Sequence, residues 1–257
     1  MAHDPQRPSA PHVVRWDEYD AVLFDLDGVL TPTAEVHLRA WTRMFDEFLA
    51  GVTDPVQRPF TVDDYHAYVD GKPRFDGVRS FLQSRDIVLP EGDPSDPPGD
   101  STVCALGNRK NQLFGESLAS EGIDAFPGSV AVLDRLDAMQ VAVAVVSSSR
   151  NAPDVLEAAR LTERFVVVVD GNVAARLGLA GKPAPDMFLE AARELHVEPG
   201  RTVVVEDAVS GVAAGRAGGF ALVLGVDRGA GREALLHHGA DLVVGDLIET
   251  MPGGDSA

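Results

Sequence analysis

Two carboxylates one residue apart, at the end of the apolar run Val22-Leu23-Phe24-Asp25-Leu26-Asp27-Gly28, are the residues of this chain best suited to chemistry. A strand directs Asp25 and Asp27 to one side and Leu26 to the other, and Gly28 lets the chain turn sharply away. Open parallel sheets bind their ligands at the carboxyl ends of strands. Two carboxylates ~4 Å apart repel by roughly 4 kcal/mol at an effective dielectric of about 20, so the pair calls for a cation or a shared proton. A polar turn after a strand is the plain alternative. A calcium loop is excluded: with Asp25 as first ligand, the position that needs Glu is Val36.

Three later strand ends carry matching chemistry. Val146 runs into Ser147-Ser148-Ser149-Arg150-Asn151, whose hydroxyls and N–H groups suit phosphate oxygens at a helix start. Lys182, in Gly181-Lys182-Pro183-Ala184-Pro185-Asp186, offers an ammonium to a phosphoryl group. Val203-Val204-Val205 runs into Glu206-Asp207, a second acidic pair of hard oxygens that suits magnesium. Taken singly, these are a capping serine, a surface lysine and a capping aspartate. Four in order at strand ends exceed that explanation.

The elements that must position them are legible as continuous apolar runs at 21–24, 141–146, 166–169, 202–205, 221–226 and 241–244. Such runs are strands covered on both faces. Between them, 130–139, 152–164, 186–196, 209–217 and 232–238 carry apolar residues at helical spacing. Alternating strand and helix predicts an α/β fold, a doubly wound parallel sheet with a Rossmann-like core. About a hundred residues after the first strand read instead as helices at 36–49, 61–70, 77–85 and 102–121, an inserted helical cap domain. The expected division is a disordered tail at 1–15, a core of 16–33 with 123–257, and a cap of 34–122. Within the cap, 90–101 (PEGDPSDPPGDS) is too polar and proline-rich for anything but a solvated loop.

Composition narrows the partners. The 257 residues hold 22 basic and 40 acidic side chains, a net charge of -18 that disfavours nucleic acid and anionic membrane. An anionic substrate must then be met by a few placed cations. Cys104 stands alone, so no internal disulfide forms. No apolar run reaches the roughly 20 residues that span a bilayer, and a cytoplasmic enzyme is expected.

The order DLDGV, VVSSSRN, GKPAPD, VVEDAVSG resembles the four motifs of the haloacid dehalogenase-like hydrolase superfamily, and within it the beta-phosphoglucomutase family. Thr33, His37, Arg39, Ala40 and Trp41 look like the first cap helix of that family. Gly71-Lys72-Pro73-Arg74 falls where the family carries a cap arginine for the substrate's distal phosphate. Asn108-Arg109-Lys110-Asn111 resembles its later substrate-binding segment. Lys72-Pro73 and the 90–101 loop depart from the family pattern.

The resemblance implies roles for these residues. Asp25 is the nucleophile, forming an aspartyl phosphate, and Asp27 the general acid and base. Asp25, Asp27 (through its backbone carbonyl), Glu206 and Asp207 bind Mg2+, while Ser147 and Lys182 stabilise the transferring group. Gly28, Thr33, His37, Trp41, Gly71, Arg74, Lys110, Ser148, Ser149, Arg150 and Asn151 are expected around a small-molecule sugar phosphate. His37 either orients Asp27 or only packs in its helix. The implied reaction interconverts beta-D-glucose 1-phosphate and glucose 6-phosphate through glucose 1,6-bisphosphate, and a monomer is expected. A magnesium-dependent sugar-phosphate phosphatase, with water as acceptor, is the alternative.

Overall fold

The computed structural model describes residues 13–53 and 55–253. Six strands, β1 (Ala21–Phe24), β2 (Ala142–Val146), β3 (Val167–Val169), β4 (Thr202–Glu206), β5 (Leu222–Val226) and β6 (Leu242–Val244), form one sheet in the order β3-β2-β1-β4-β5-β6. Every pair is parallel. The order reverses at β1, the switch point where such sheets open a crevice. Residues alternate across the sheet as a period of two requires. Val22 and Phe24 pack on one face with Val203, Val205 and Leu136; Leu23 packs on the other with Val204, Met187 and Phe188.

Between β1 and the helix that leads into β2, the chain inserts α1 (Thr33–Leu49), α2 (Val62–Asp64), α3 (Arg74–Ser84) and α4 (Val103–Glu121). Their apolar centre is aromatic. Phe45 lies 4.1 Å from Phe81 and 5.0 Å from Phe60 between ring centroids, and Trp41 stacks on Phe45 at 5.3 Å. Such ring pairs add to the free energy of simple area burial. After the insert come α5 (Pro127–Ala138), α6 (Ala152–Ala158), α7 (Gly171–Leu177), α8 (Asp186–Glu194), α9 (Val209–Ala217) and α10 (Arg232–His237).

Several boundaries differ from the sequence reading for local reasons. The helix expected over 152–164 stops at Ala158, because Arg160 takes a left-handed φ of +58°; a 3-10 turn follows at Thr162–Arg164. The helix expected over 61–70 is α2, capped by Thr61, running into a wide π turn at Tyr65–Val69. The helix expected from residue 77 already starts at Arg74, directly after Pro73. Residues 1–12 of the expected tail lie outside the described residues. Residues 13–15 do not trail free: Val14 is buried and its N–H donates to Thr250 O at 3.0 Å.

Candidate active site

Register brings the strand-end residues together. Phe24 stands opposite both Val145 and Val205, so Asp25 emerges between Val146, the residue before Ser147, and Glu206. The Asp25 N–H donates to Val205 O at 2.9 Å. Carboxylate oxygens of Asp25, Glu206 and Asp207 all lie within 4.8 Å of one another, and all three residues are buried. Lys182 Nζ reaches into this cluster from the segment before α8, donating to Asp25 Oδ1 at 2.5 Å, Glu206 Oε1 at 2.6 Å and Val146 O at 3.0 Å. Glu206 Oε2 also accepts the N–H groups of Asp207 and Ala208 at 2.9 and 3.0 Å.

Negative charge is in excess in the cluster. Burial pushes the Asp207 carboxyl well up, and the charges of Asp70, Glu206, Asp25 and Asp27 push it further. Burial likewise raises Asp25, against the pull of Lys182. One ammonium faces three buried carboxylates. Hard oxygen donors with a surplus of negative charge fit a divalent cation such as magnesium. Glycines make the cluster possible: a Cβ on Gly28, where φ is +89°, or on Gly211 of α9 would overlap the carboxylate of Asp207 or Glu206 respectively.

Asp27 lies outside that trio but lines the same cavity. Its Oδ1 accepts from the Thr33 hydroxyl, and its Oδ2 from the Ser147 hydroxyl at 3.2 Å. His37 Nε2 stands 3.2 Å from Asp27 Oδ1. Lys110 Nζ bonds the other ring nitrogen, Nδ1, and the His37 ring stacks on Phe114 at 4.1 Å. With Nδ1 accepting from the ammonium, the ring proton belongs on Nε2, towards Asp27. Burial works against the Asp27 carboxylate, but His37, Thr33 and Lys110 outweigh it and hold its pKa at about 2. Burial and the adjacent Lys110 push His37 down, and its buried Nε2 lies beside Asp27 without a formed hydrogen bond. Burial also pushes Lys110 down, to about 7.

Above these groups lies a cavity of about 330 Å³ between the sheet edge and the helical insert. Its wall includes Asp25, Asp27, Glu206 and Asp207 from the core and His37, Trp41, Gly71, Arg74 and Lys110 from the insert. Ser148, Ser149, Arg150 and Asn151 complete the side towards β2. Gly28, Thr33, Ser147 and Lys182 are not on this wall; Thr33, Ser147 and Lys182 bond the acidic groups, and Gly28 leaves room for Asp207. Insert and core are bonded across the cavity rim. Ser148 Oγ donates to Gly71 O at 2.9 Å, Asn151 Nδ2 to Asn111 Oδ1 at 2.7 Å, and Ser210 Oγ to Asp70 O at 3.2 Å.

Asp70, Asn108 and Asn111 were missed as individual site residues. Asp70 lines the cavity and bonds His66 at 3.1 Å, while Asn108 takes the Arg74 fork at 2.8 Å. Proximity to a motif residue, Arg74 or Lys110, was the available signal. The histidines at 237 and 238 are exposed, and Cys104 is buried away from the site with its thiol pushed up by burial.

Comparison with known proteins places the chain in a family. The family of haloacid dehalogenase-like hydrolases matches residues 19–219. A beta-phosphoglucomutase of Mycobacterium bovis is 51% identical, over 90% of this chain and 91% of its own length. A beta-phosphoglucomutase of Bacillus subtilis is 34% identical, over 87% and 88%. The crystal structure of a beta-phosphoglucomutase from Clostridium difficile has a TM-score of 0.70 at 22% identity, covering 89% of this chain and 92% of that one, and so shares the fold. On the extent of these matches, the chain belongs to the haloacid dehalogenase-like hydrolase superfamily and, within it, to the beta-phosphoglucomutase family.

Proposed function

We propose that this enzyme interconverts beta-D-glucose 1-phosphate and glucose 6-phosphate, with Asp25 as nucleophile and glucose 1,6-bisphosphate as the turning intermediate. The observation that carries the reading is one cavity holding both the Asp25/Asp27 pair and a separate cationic wall of Arg74 and Arg150. A bisphosphate bound in two orientations needs both: one phosphate at the nucleophile, the other at a fixed cation. Residues 34–122 act as the cap over a core formed by 16–33 and 123–257.

Asp27 starts ionised, since its neighbours hold its pKa at about 2. It takes the proton of the sugar 6-hydroxyl as that oxygen attacks the phosphorus of the Asp25 acyl phosphate; the new O–P bond forms and the Asp25–P bond breaks. The bisphosphate turns. The Asp25 carboxylate then attacks the 1-phosphate, and Asp27 returns its proton to the departing O1. Lys182 keeps Asp25 oriented and its charge compensated. Asp25, Glu206 and Asp207, with the Asp27 carbonyl, would hold magnesium, which would supply charge neutralisation for the phosphoryl oxygens. His37 holds Asp27 in place from the insert side, which ties proton transfer to cap closure. Closure excludes water, which competes for the acyl phosphate.

The substrate is a small sugar phosphate, and neither nucleic acid nor membrane is a partner. No helix of the described residues is long and apolar enough to cross a membrane. We further propose a cytoplasmic monomer, the state in which many small-metabolite enzymes work. Incubation with acetyl phosphate and magnesium, followed by peptide mapping, tests the nucleophile. The acyl phosphate is expected on Asp25 and absent from Asp25→Asn; a label on any other residue overturns the assignment.

A further inference from the structure

Residues 90–101 are exposed over most of their length yet tied down at close intervals. Asp96 Oδ2 accepts from the Thr102 hydroxyl at 2.7 Å and the Asp93 N–H at 3.1 Å. The N–H groups of Val103 and Cys104 donate back to the Pro90 and Glu91 carbonyls at 3.0 and 3.1 Å, and Gly99 N–H donates to Ala105 O at 3.1 Å. A Cβ at Gly92, where φ is +77°, would overlap Asp96. The acidic loop is therefore a fixed turn fastened to the start of α4.

Two of its carbonyls have a common donor. Asn108 Nδ2 donates to Asp96 O at 2.7 Å and to Pro94 O at 3.1 Å. Both amide hydrogens are taken, so the orientation of the amide is fixed and its Oδ1 faces away from the loop. There it accepts from Arg74 Nη2 at 2.8 Å. The partner is an amide, which orients the guanidinium without neutralising it. Arg74 Nε is buried with no hydrogen-bond partner among the described residues, and burial and the Arg150 charge both act against the cation. Behind it, the Phe75 ring lies 4.8 Å from the guanidinium carbon, in space that Gly107 leaves open.

We infer that Asn108, held by the carbonyls of the 90–101 loop, is a positioning residue that aims Arg74 at the distal phosphate. The loop thereby sets affinity for the phosphosugar without touching it. This rests on the reading of Arg74 as the distal-phosphate group.

A double-mutant cycle tests it. Asn108→Ala, Arg74→Ala and the double variant are compared with the parent for KM towards beta-glucose 1-phosphate, with unfolding midpoints as a check on the fold. Asn108→Ala is expected to raise KM about tenfold with Arg74 present, about 1.4 kcal/mol, and by less than about twofold in the Arg74→Ala background. Gly92→Ala, which dislodges the loop turn, is expected to show the same non-additivity, and it decides the case if Asn108→Ala does not fold. If Arg74→Ala raises KM but the Asn108 effect is absent or simply adds, Asn108 does not act through Arg74 and the inference falls alone. If Arg74→Ala itself leaves KM unchanged, the distal-phosphate reading falls and takes the inference with it.

Discussion

Lys110 is buried and makes no bond to a carboxylate; its partners are the His37 ring nitrogen and the Trp41 and Phe114 faces, each 5.1 Å away. Its pKa falls from 10.5 to about 7 because burial disfavours the ammonium. The unfolded chain therefore binds a proton that the folded one lacks between pH 7 and 10.5. Stability contributed by this site rises with pH through that window, and the charged form is costly below it. Lys110→Met is expected to raise the unfolding midpoint at pH 7, by roughly 2–4 °C per kcal/mol recovered, and to flatten the rise towards pH 10. The same variant should lose mutase activity, because His37 loses the Nζ hydrogen bond to Nδ1 that fixes its tautomer. Calorimetry and an activity profile over pH 6–10 check both halves. At this scale the sequence was most informative where chemistry ends an apolar strand: Asp25, Asp27, Glu206 and Asp207 are legible because strand direction alone delivers them to one edge. Asp70, Asn108 and Asn111 were not, since the direction of a polar side chain on a helix or turn is set by what packs against it.

The elements repeat that division. All six strands were readable because both faces are covered and the runs are continuously apolar. Helix α7 was not expected: of its residues only Ala174 is buried, so it carries almost no apolar stripe. Its ends were nonetheless written in the sequence, as Asp170 capping the N–H groups of Asn172 and Val173 and as Gly178 in the left-handed region. The bonds between insert and core lie on short loops and helix starts, where no periodicity announces them. Asn151→Ala removes the bond to Asn111 across the rim. It is expected to loosen closure and to raise the ratio of phosphate released to sugar phosphate isomerised, on the order of two- to tenfold. Following both products in one reaction measures it; an unchanged ratio would show that this bond does not govern water entry.

For the whole molecule, a net charge of -18 makes an anionic substrate unwelcome except where the fold concentrates cations. The cavity does so with Arg74, Arg150, Lys72 and Lys110, and its wall includes the three carboxylates that could hold a metal. Because a metal that binds only the folded state stabilises it by mass action, added magnesium should raise the unfolding midpoint. Chelation should abolish turnover, and Asp207→Asn should blunt the thermal shift; a midpoint indifferent to magnesium in the parent protein would argue against the site. The parallel sheet and its helical insert were legible as a pattern, whereas the closed rim depends on contacts between segments far apart in sequence. The central claim is phosphoryl return to the sugar in preference to water. It is tested most directly with purified protein, magnesium, beta-glucose 1-phosphate and a trace of glucose 1,6-bisphosphate, following glucose 6-phosphate and free phosphate together. Rapid glucose 6-phosphate formation with little phosphate is the predicted result; phosphate release without glucose 6-phosphate would contradict it and make the enzyme a phosphatase.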